Sequence, residues 1–408
     1  MASGYYYNRA MPIGTAVHDR TLALAESLNF REWSGYYAVS AYEAHHEHEY
    51  NAIRNAAALI DVSPLFKYRI SGPDAAKLVD RVITRDASKL AVGQVYYTPW
   101  CDEHGKVIDD GTVTRVAEDA FRWTAADPSL RWFTQTAIGM DVRIEDISEQ
   151  VAALAVQGPT SGRLLDAVAD ADIRTLKYFR MTKGTIGGVP VDISRTGYTG
   201  DLGYEIWMPW DRAVDVWDAL MHGGRPFDIH PAGMLALDVA RVEAGLLLID
   251  VDFNSSKRAL IAAQKYSPFE MGLDRLVAVD KPAPFVGRYA LAAERARGAA
   301  RRIVGLEISW SAVEQRYEQA GLPPQLAATA SRVPVPVYKN SRQVGRATTT
   351  TWSPVLKKLI ALATLDAPHT AVGTDVEFEI TVEAVRHRVP AVVVNTPFFN
   401  PPRKTAQV

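Results

Sequence analysis

Apolar and polar positions recur with two different periods along the 408 residues, and each period predicts its own elements. Residues 43–59 are rich in good helix formers, and Ile53, Ala56, Ala57 and Ile60 return at helical spacing. They predict a helix that Asp61, Ser63 and Pro64 break. Residues 211–221 predict a second helix, with Val214, Trp217 and Met221 on one face. Residues 232–249 predict a third, carrying Leu235, Val239, Val242 and Leu246. Short β-rich runs at 107–116 and 189–194, bounded by turn residues, predict strands. Past residue 295 the texture changes. A basic, alanine-rich connector at 294–302 leads to short strands at 303–308, 333–338 and 391–394, the pattern of a small antiparallel barrel or sandwich. Leu322-Pro-Pro-Gln325 reads as an exposed loop within it, and 401–408 as a disordered tail.

One pattern occurs twice. Ile70-Ser-Gly72-Pro73-Asp-Ala-Ala-Lys-Leu78-Val-Asp80-Arg-Val82 returns 86 residues later as Val156-Gln-Gly158-Pro159-Thr-Ser-Gly-Arg-Leu164-Leu-Asp166-Ala-Val168. Each copy reads as a strand end, a Gly-Pro turn and a helix, with the proline suited to a first turn whose N–H has no partner anyway. Two such units predict a pseudo-duplicated α+β core, and the spacing is far too long for a solenoid.

Composition narrows the classes. Length divides into two to three units at ~150 residues each. Lys plus Arg is 45 against 47 Asp plus Glu, a formal net charge of −2, which argues against a nucleic-acid binder. The single cysteine, Cys101, excludes a disulfide framework and any cysteine-based zinc or iron–sulfur site. No apolar window reaches 18 residues, and the first residues lack a charged segment followed by a long apolar run. A soluble, cytoplasmic protein with no membrane span or secretory signal is the expectation.

Three stretches carry candidate chemistry. Asp109 and Asp110 sit on a strand, so they point to opposite faces: one can meet a cavity while the other meets solvent or a turn. A carboxylate among Val107, Ile108 and Val113 is partly desolvated, which raises its pKa and suits it to proton chemistry. The plain alternative is two acidic residues closing a hairpin. In Ser194-Arg-Thr-Gly-Tyr198-Thr-Gly-Asp-Leu-Gly-Tyr-Glu205, three glycines let backbone approach a flat ligand, and tyrosines offer their faces. The carboxylate can accept paired N–H groups. The stretch lacks the spacing and βαβ setting of a dinucleotide site, and an ordinary glycine-rich hairpin stays open. His45-His46-Glu47-His48 has no His-Glu-x-x-His, so it predicts a solvated helix face rather than a metal site, with one histidine able to reach a substrate. Cys101 is expected to pack.

Together these motifs resemble the T-protein (aminomethyltransferase) family of the glycine cleavage system, a tetrahydrofolate-dependent family that also includes demethylases. The resemblance rests on Asp61-Val-Ser63, Ser71-Gly-Pro73, Gly105-Lys-Val-Ile-Asp-Asp110, Gln157-Gly-Pro159, the 194–205 stretch, Pro231-Ala-Gly233 and Arg241-Val-Glu-Ala-Gly245. Further on, Pro268-Phe-Glu-Met-Gly272, Phe285-Val-Gly287 and Gly345 through Ser353-Pro354 continue it in order. It implies an α+β cloverleaf of three units around a central folate channel. Residues 1–295 would form a catalytic core of two interleaved subdomains, and 296–400 a C-terminal β-barrel. It further implies that Asp110 lies beside the reactive folate nitrogens, that Tyr97, Tyr198 and Glu205 contact the cofactor, and that Glu205 holds the pterin edge.

Four departures from the family pattern bear on the donor. Leu237 stands where the family has arginine, and Ala125 lies in the segment that has lost its asparagine. Ser63-Pro64-Leu65-Phe66 replaces Ser-His-Met-Gly, and Leu248-Ile249-Asp250 replaces Leu-Tyr-Gly. A cavity that loses polar partners changes what it can hold. The expected activity is therefore transfer of a methyl group from a small N-, O- or S-methyl substrate to tetrahydrofolate, with Asp110 tuning the nitrogen and Tyr97 or His48 as acid for the leaving group. The alternatives are a glycine-cleavage aminomethyltransferase taking its unit from a lipoylated carrier protein, and a folate-binding accessory protein without turnover. A partner enzyme from the same operon is also compatible with the first reading.

Overall fold

A computed structural model of the chain describes residues 11–407. The first ten residues, where the absence of a signal was read, lie outside the described residues. Two large sheets, a closed barrel and a two-stranded sheet, Asn29–Trp33 with Tyr36–Ala41, make up the described fold. One sheet has seven strands, ordered Ala169–Asp170, Met181–Ile186, Val189–Ser194, Gly203–Pro209, Val151–Gln157, Ala57–Asp61 and Ile229–Pro231. The other has five, ordered Val95–Cys101, Val107–Ala117, Ala120–Ala125, Phe66–Ser71 and Arg143–Asp146. The chain leaves the seven-stranded sheet after Asp61, builds the five-stranded sheet, and returns at Val151. The two sheets are thus interleaved in sequence, joined by two crossovers at 62–65 and 147–150.

The repeat explains how each sheet gains its core. Strand Phe66–Ser71 turns through Gly72 into helix Ala75–Val82, and strand Val151–Gln157 turns through Gly158 into helix Ser161–Val168. The prolines stand just before the helix caps Asp74 and Thr160 rather than inside the helices. Gly158 has φ +125°, and a Cβ there would lie 2.4 Å from the Ala56 carbonyl oxygen, so the turn admits no side chain. Leu164 and Leu165 pack with Val216, Trp217 and Leu220 of helix Ala213–Gly223 under the seven-stranded sheet. Leu78, Val79 and Val82 pack with Trp100, Trp123 and Phe133 under the five-stranded one.

The C-terminal unit is a closed antiparallel barrel of six strands, ordered Arg301–Ile308, Lys358–Asp366, Arg342–Ser353, Val335–Lys339, Asp375–Val382 and Val385–Val394. Closure leaves no edge strand unpaired. Residues 322–325 form a mostly exposed loop. Among the described residues no helix is long and apolar enough to cross a membrane.

Several elements differ from the pattern reading. The helix expected over 43–59 spans Glu47–Asn55, and Ala57–Asp61 is a strand between two others. Ala57, Ala58, Leu59 and Ile60 are all buried, so this run carries no polar face and its helical spacing was incidental. The helix expected over 232–249 spans Met234–Glu243, because Gly245 takes a left-handed φ of +64° and sends the chain into a loop. The connector begins as helix Arg288–Arg297. The tail expected to be disordered is docked as far as it is described: Arg403 forks onto the buried Asp201 at 2.7 and 2.8 Å. Arg195 in turn donates to the carbonyls of Arg403, Lys404 and Ala406. Polar composition concealed these charge-assisted contacts.

Candidate active site

Strand alternation settles the two acidic neighbours. Asp109 turns into the protein, fully buried, and accepts backbone N–H groups from Asp110, Ala126 and Asp127 at 2.8, 3.1 and 2.9 Å. Burial pushes its carboxyl well above the usual range, the neighbouring Asp110 adds to the rise, and these N–H donors oppose it. Asp110 turns the other way and lines a cavity of about 1670 Å³ enclosed by both sheets, the barrel and the 246–251 loop. Its partner comes from the adjacent strand. Pro99 is opposite Asp110 and Tyr97 opposite Thr112, so Tyr97 is the diagonal neighbour on the same face. The Tyr97 hydroxyl donates to Asp110 Oδ2 at 2.6 Å. Burial pushes Asp110 up to about 6, against the pull of that hydrogen bond. Burial likewise drives the Tyr97 phenol up, with Asp110 adding to the rise, so Tyr97 keeps its proton.

The glycine-rich stretch is the connection between strands Val189–Ser194 and Gly203–Pro209, and it faces the same cavity. Gln157, fully buried, holds its shape: its amide donates to the carbonyls of Thr196 and Tyr204, and the Thr199 hydroxyl donates to its oxygen at 2.9 Å. Glu205 lines the cavity and accepts the Thr196 hydroxyl at 2.6 Å on Oε2. Burial raises its pKa, while Thr196 and the Arg122 charge oppose the rise. Among the described residues Thr196 is the hydrogen-bond donor to this carboxylate, so Oε1 stays open to a ligand. Tyr198 donates its hydroxyl to the Leu247 carbonyl and presents its ring to the cavity. Asp110, Tyr97, Tyr198 and Glu205, brought from four strands and loops spread over more than a hundred residues, therefore share one cavity.

His48 does not join them. Its side chain is 77% exposed, it pairs with Glu43 at 3.1 Å, and it is not part of the cavity wall. The solvated face holds for His45, Glu47 and His48, whereas His46, at the cap of helix Glu47–Asn55, is buried. The expectation of His48 as an acid is corrected, because its side chain points to solvent at the start of that helix. Cys101 is buried, and burial raises its thiol well above the usual range.

All four departures from the family pattern lie on the cavity wall, as Leu65 and Phe66, Ala125, Leu237, and Leu248, Ile249 and Asp250. Pattern reading missed the charges between them. Arg332 forks onto Asp238 at 2.5 and 3.0 Å, and Arg258 bridges Asp127 and Asp250 at 2.7 and 2.5 Å. These pairs join distant segments, so no local spacing announces them.

Comparison with known proteins places this geometry. Residues 17–281 match the family described as GCVT N-terminal domain, and residues 321–400 the Glycine cleavage T-protein C-terminal barrel domain. A trimethylamine-oxide aldolase of Ruegeria pomeroyi is 36% identical over 400 residues, covering 95% of this chain; the chain spans 47% of that relative's length. An aminomethyltransferase of Bacillus cytotoxicus is 33% identical over 356 residues, 86% of this chain and 89% of its own. The crystal structure of glycine cleavage system aminomethyltransferase T from Bartonella henselae shares the fold, with a TM-score of 0.79 at 22% identity, over 95% of this chain and 98% of that one.

Proposed function

We propose, for a chain that belongs to the glycine cleavage T-protein family, that its one-carbon donor is a small N-, O- or S-methyl compound and its acceptor tetrahydrofolate. Family members are folate-dependent transferases. The observation that carries the reading is the split in the cavity wall. Asp110, Tyr97, Tyr198 and Glu205 remain, while Leu237 and Ala125 are apolar where the family pattern has arginine and asparagine, beside the Arg332–Asp238 and Arg258–Asp127–Asp250 pairs. A site built to hydrogen-bond its donor discriminates strongly against one lacking the partner groups, and this wall has lost such groups.

The residues present fit a folate. A carboxylate with one oxygen engaged by Thr196 suits a paired N–H edge, which supports the reading of Glu205 at the pterin. Tetrahydrofolate, when bound, supplies the nitrogen that accepts the one-carbon unit. Asp110 holds or takes up the proton displaced from that nitrogen, with a pKa near the working pH as proton transfer requires. Tyr97 orients Asp110 and, because its phenol is hard to ionise, is a poor acid for a leaving group. A cationic methylammonium or sulfonium donor needs no such acid, since it departs as a neutral amine or sulfide with the electron pair of the broken bond. A methylated amine is the first donor to test, given the relative named trimethylamine-oxide aldolase.

A second reading is aminomethyl transfer from a lipoylated carrier protein, which the relatives named aminomethyltransferase favour. Incubation with tetrahydrofolate and either a panel of methylated amines, ethers and sulfonium compounds or an aminomethyl-loaded carrier separates the two. Methyl-tetrahydrofolate from a panel member is expected, and methylene-tetrahydrofolate from the carrier on the second reading. Product from the carrier alone overturns the first reading.

A further inference from the structure

A lysine outside the cavity holds together the two halves of the site. Lys67 lies on strand Phe66–Ser71 of the five-stranded sheet and is fully buried. Its Nζ donates to the carbonyls of Ser63, Leu65 and Ser148 at 2.6, 2.8 and 3.4 Å. Ser63 and Leu65 belong to the crossover that leaves the seven-stranded sheet, and Ser148 to the crossover that returns to it. An ammonium has three N–H donors, and here each meets one carbonyl. The Ser148 hydroxyl also accepts the Lys67 backbone N–H at 2.9 Å, and Ser63 reaches Ala153 of the seven-stranded sheet through its hydroxyl. The first crossover is itself cavity wall, through Val62 and Leu65, and continues in Phe66 at the start of the strand.

We propose that Lys67 is a positioning residue: its ammonium clamps both crossovers and thereby fixes Asp110 and Tyr97, on one sheet, relative to Glu205 on the other and Tyr198 in the loop that leads into it. A shift of the sheets would leave each half able to bind its part of a ligand but would misalign the reacting groups, and misalignment of about 1 Å costs on the order of a hundredfold in rate. Three charged groups face the ammonium. Asp61 on strand Ala57–Asp61 and Asp146 on strand Arg143–Asp146 favour its charge, while Arg122 on strand Ala120–Ala125 opposes it. Burial dominates and lowers Lys67 to about 7. Loss of the proton leaves two N–H donors for three carbonyls, so the clamp loosens as pH rises through that value.

Hydrogen–deuterium exchange on the free protein tests this without any substrate. In Lys67→Met, exchange in residues 62–66 and 147–150 is expected to rise at least tenfold while strands of the barrel stay unchanged, and Lys67→Arg is expected to restore most of the protection. With whichever donor the panel identifies, Lys67→Met is expected to lower kcat at least tenfold and to leave tetrahydrofolate affinity within about threefold. Unchanged exchange in both crossovers overturns the clamp. Raised exchange with wild-type kcat reduces Lys67 to a structural role and overturns positioning. If Lys67→Met does not fold, the wild type decides: protection of the two crossovers, corrected for intrinsic exchange, should fall between pH 6 and 9, and constancy there overturns the proposal. The kinetic arm rests on the proposed transfer. Absence of turnover from every donor and from the carrier would count against that reading, while exchange would still decide the clamp.

Discussion

The Tyr97 hydroxyl donates to Asp110 Oδ2 at 2.6 Å across two adjacent strands, and this pair sits where both sheets and the barrel enclose one cavity. The hydrogen bond stabilises the carboxylate and so lowers a pKa that burial raises. Tyr97→Phe is therefore expected to move the acidic limb of the kcat–pH profile upward. Asp110→Asn is expected to reduce kcat about 10²- to 10⁴-fold, the range of general acid–base catalysis, with tetrahydrofolate affinity nearly kept. A pH–rate profile and a binding titration measure both. Full activity in Asp110→Asn would exclude the carboxylate from proton transfer.

The same burial makes Asp110 a liability for the folded state above its pKa. Its folded pKa, about 6, lies above the usual 3.8, so between those values the folded chain binds more protons than the unfolded one. Its contribution then makes stability fall as pH rises through that window. Asp110→Asn should raise Tm above wild type at pH 7, and the difference should shrink toward pH 4. Melting curves across that range read it directly, and a difference independent of pH would contradict the assignment.

Glu205 offers an open carboxylate oxygen to the cavity. Glu205→Gln replaces a charged acceptor by a neutral one, and hydrogen bonds to charged groups contribute about 1.5–3 kcal/mol. Tetrahydrofolate Kd should rise roughly tenfold to a hundredfold. Isothermal titration checks this, and wild-type affinity would remove Glu205 from the folate site.

Leu237 stands on the cavity wall where the family carries arginine. Leu237→Arg places a charge beside Asp238 and fills apolar space. Turnover of a methylated donor should drop at least tenfold in kcat/KM, while tetrahydrofolate binding stays within about threefold. A melting curve guards against misfolding. Unchanged donor kinetics would mean that this wall does not meet the donor.

Glu243 ties three elements together: it accepts Arg54 through Nε and Nη2 at 2.8 and 2.5 Å, Tyr50 at 2.6 Å and the barrel's Ser353 at 2.6 Å. Both charged partners are buried. Glu243→Gln leaves Arg54 with only the Asp201 carboxylate, at 3.5 Å, as buried counter-charge, and weakening such a buried pair costs up to about 3–5 kcal/mol. Urea denaturation should show this loss with an unchanged m-value. A shift below 1 kcal/mol would mean that the barrel docks by other contacts.

The site was partly legible before folding. Alternation on the 107–117 strand required Asp109 and Asp110 to face apart, and the structure realises this: one meets the 126–127 turn, the other the cavity. The Gly-Pro repeat marked both strand-to-helix units because its glycine is needed wherever backbone approaches backbone. His48 was misplaced because helix spacing says which residues share a face, not what that face meets. Ala57–Ile60 was misassigned because a short run buried on both sides has no period to read.

The sequence by itself determined what is local: the turns at Gly72 and Gly158, the alternation that separates the two aspartates, the barrel's run of short strands, and the motif order that marks the family. Tertiary structure alone decided what joins distant segments. It set Glu205 and Asp110 around one cavity, docked Arg403 onto Asp201, and ran Lys67 to both crossovers. Local preference acts through a few neighbouring dihedrals. These contacts depend on burial and charge pairing between residues that meet only after the chain has crossed twice between its two sheets.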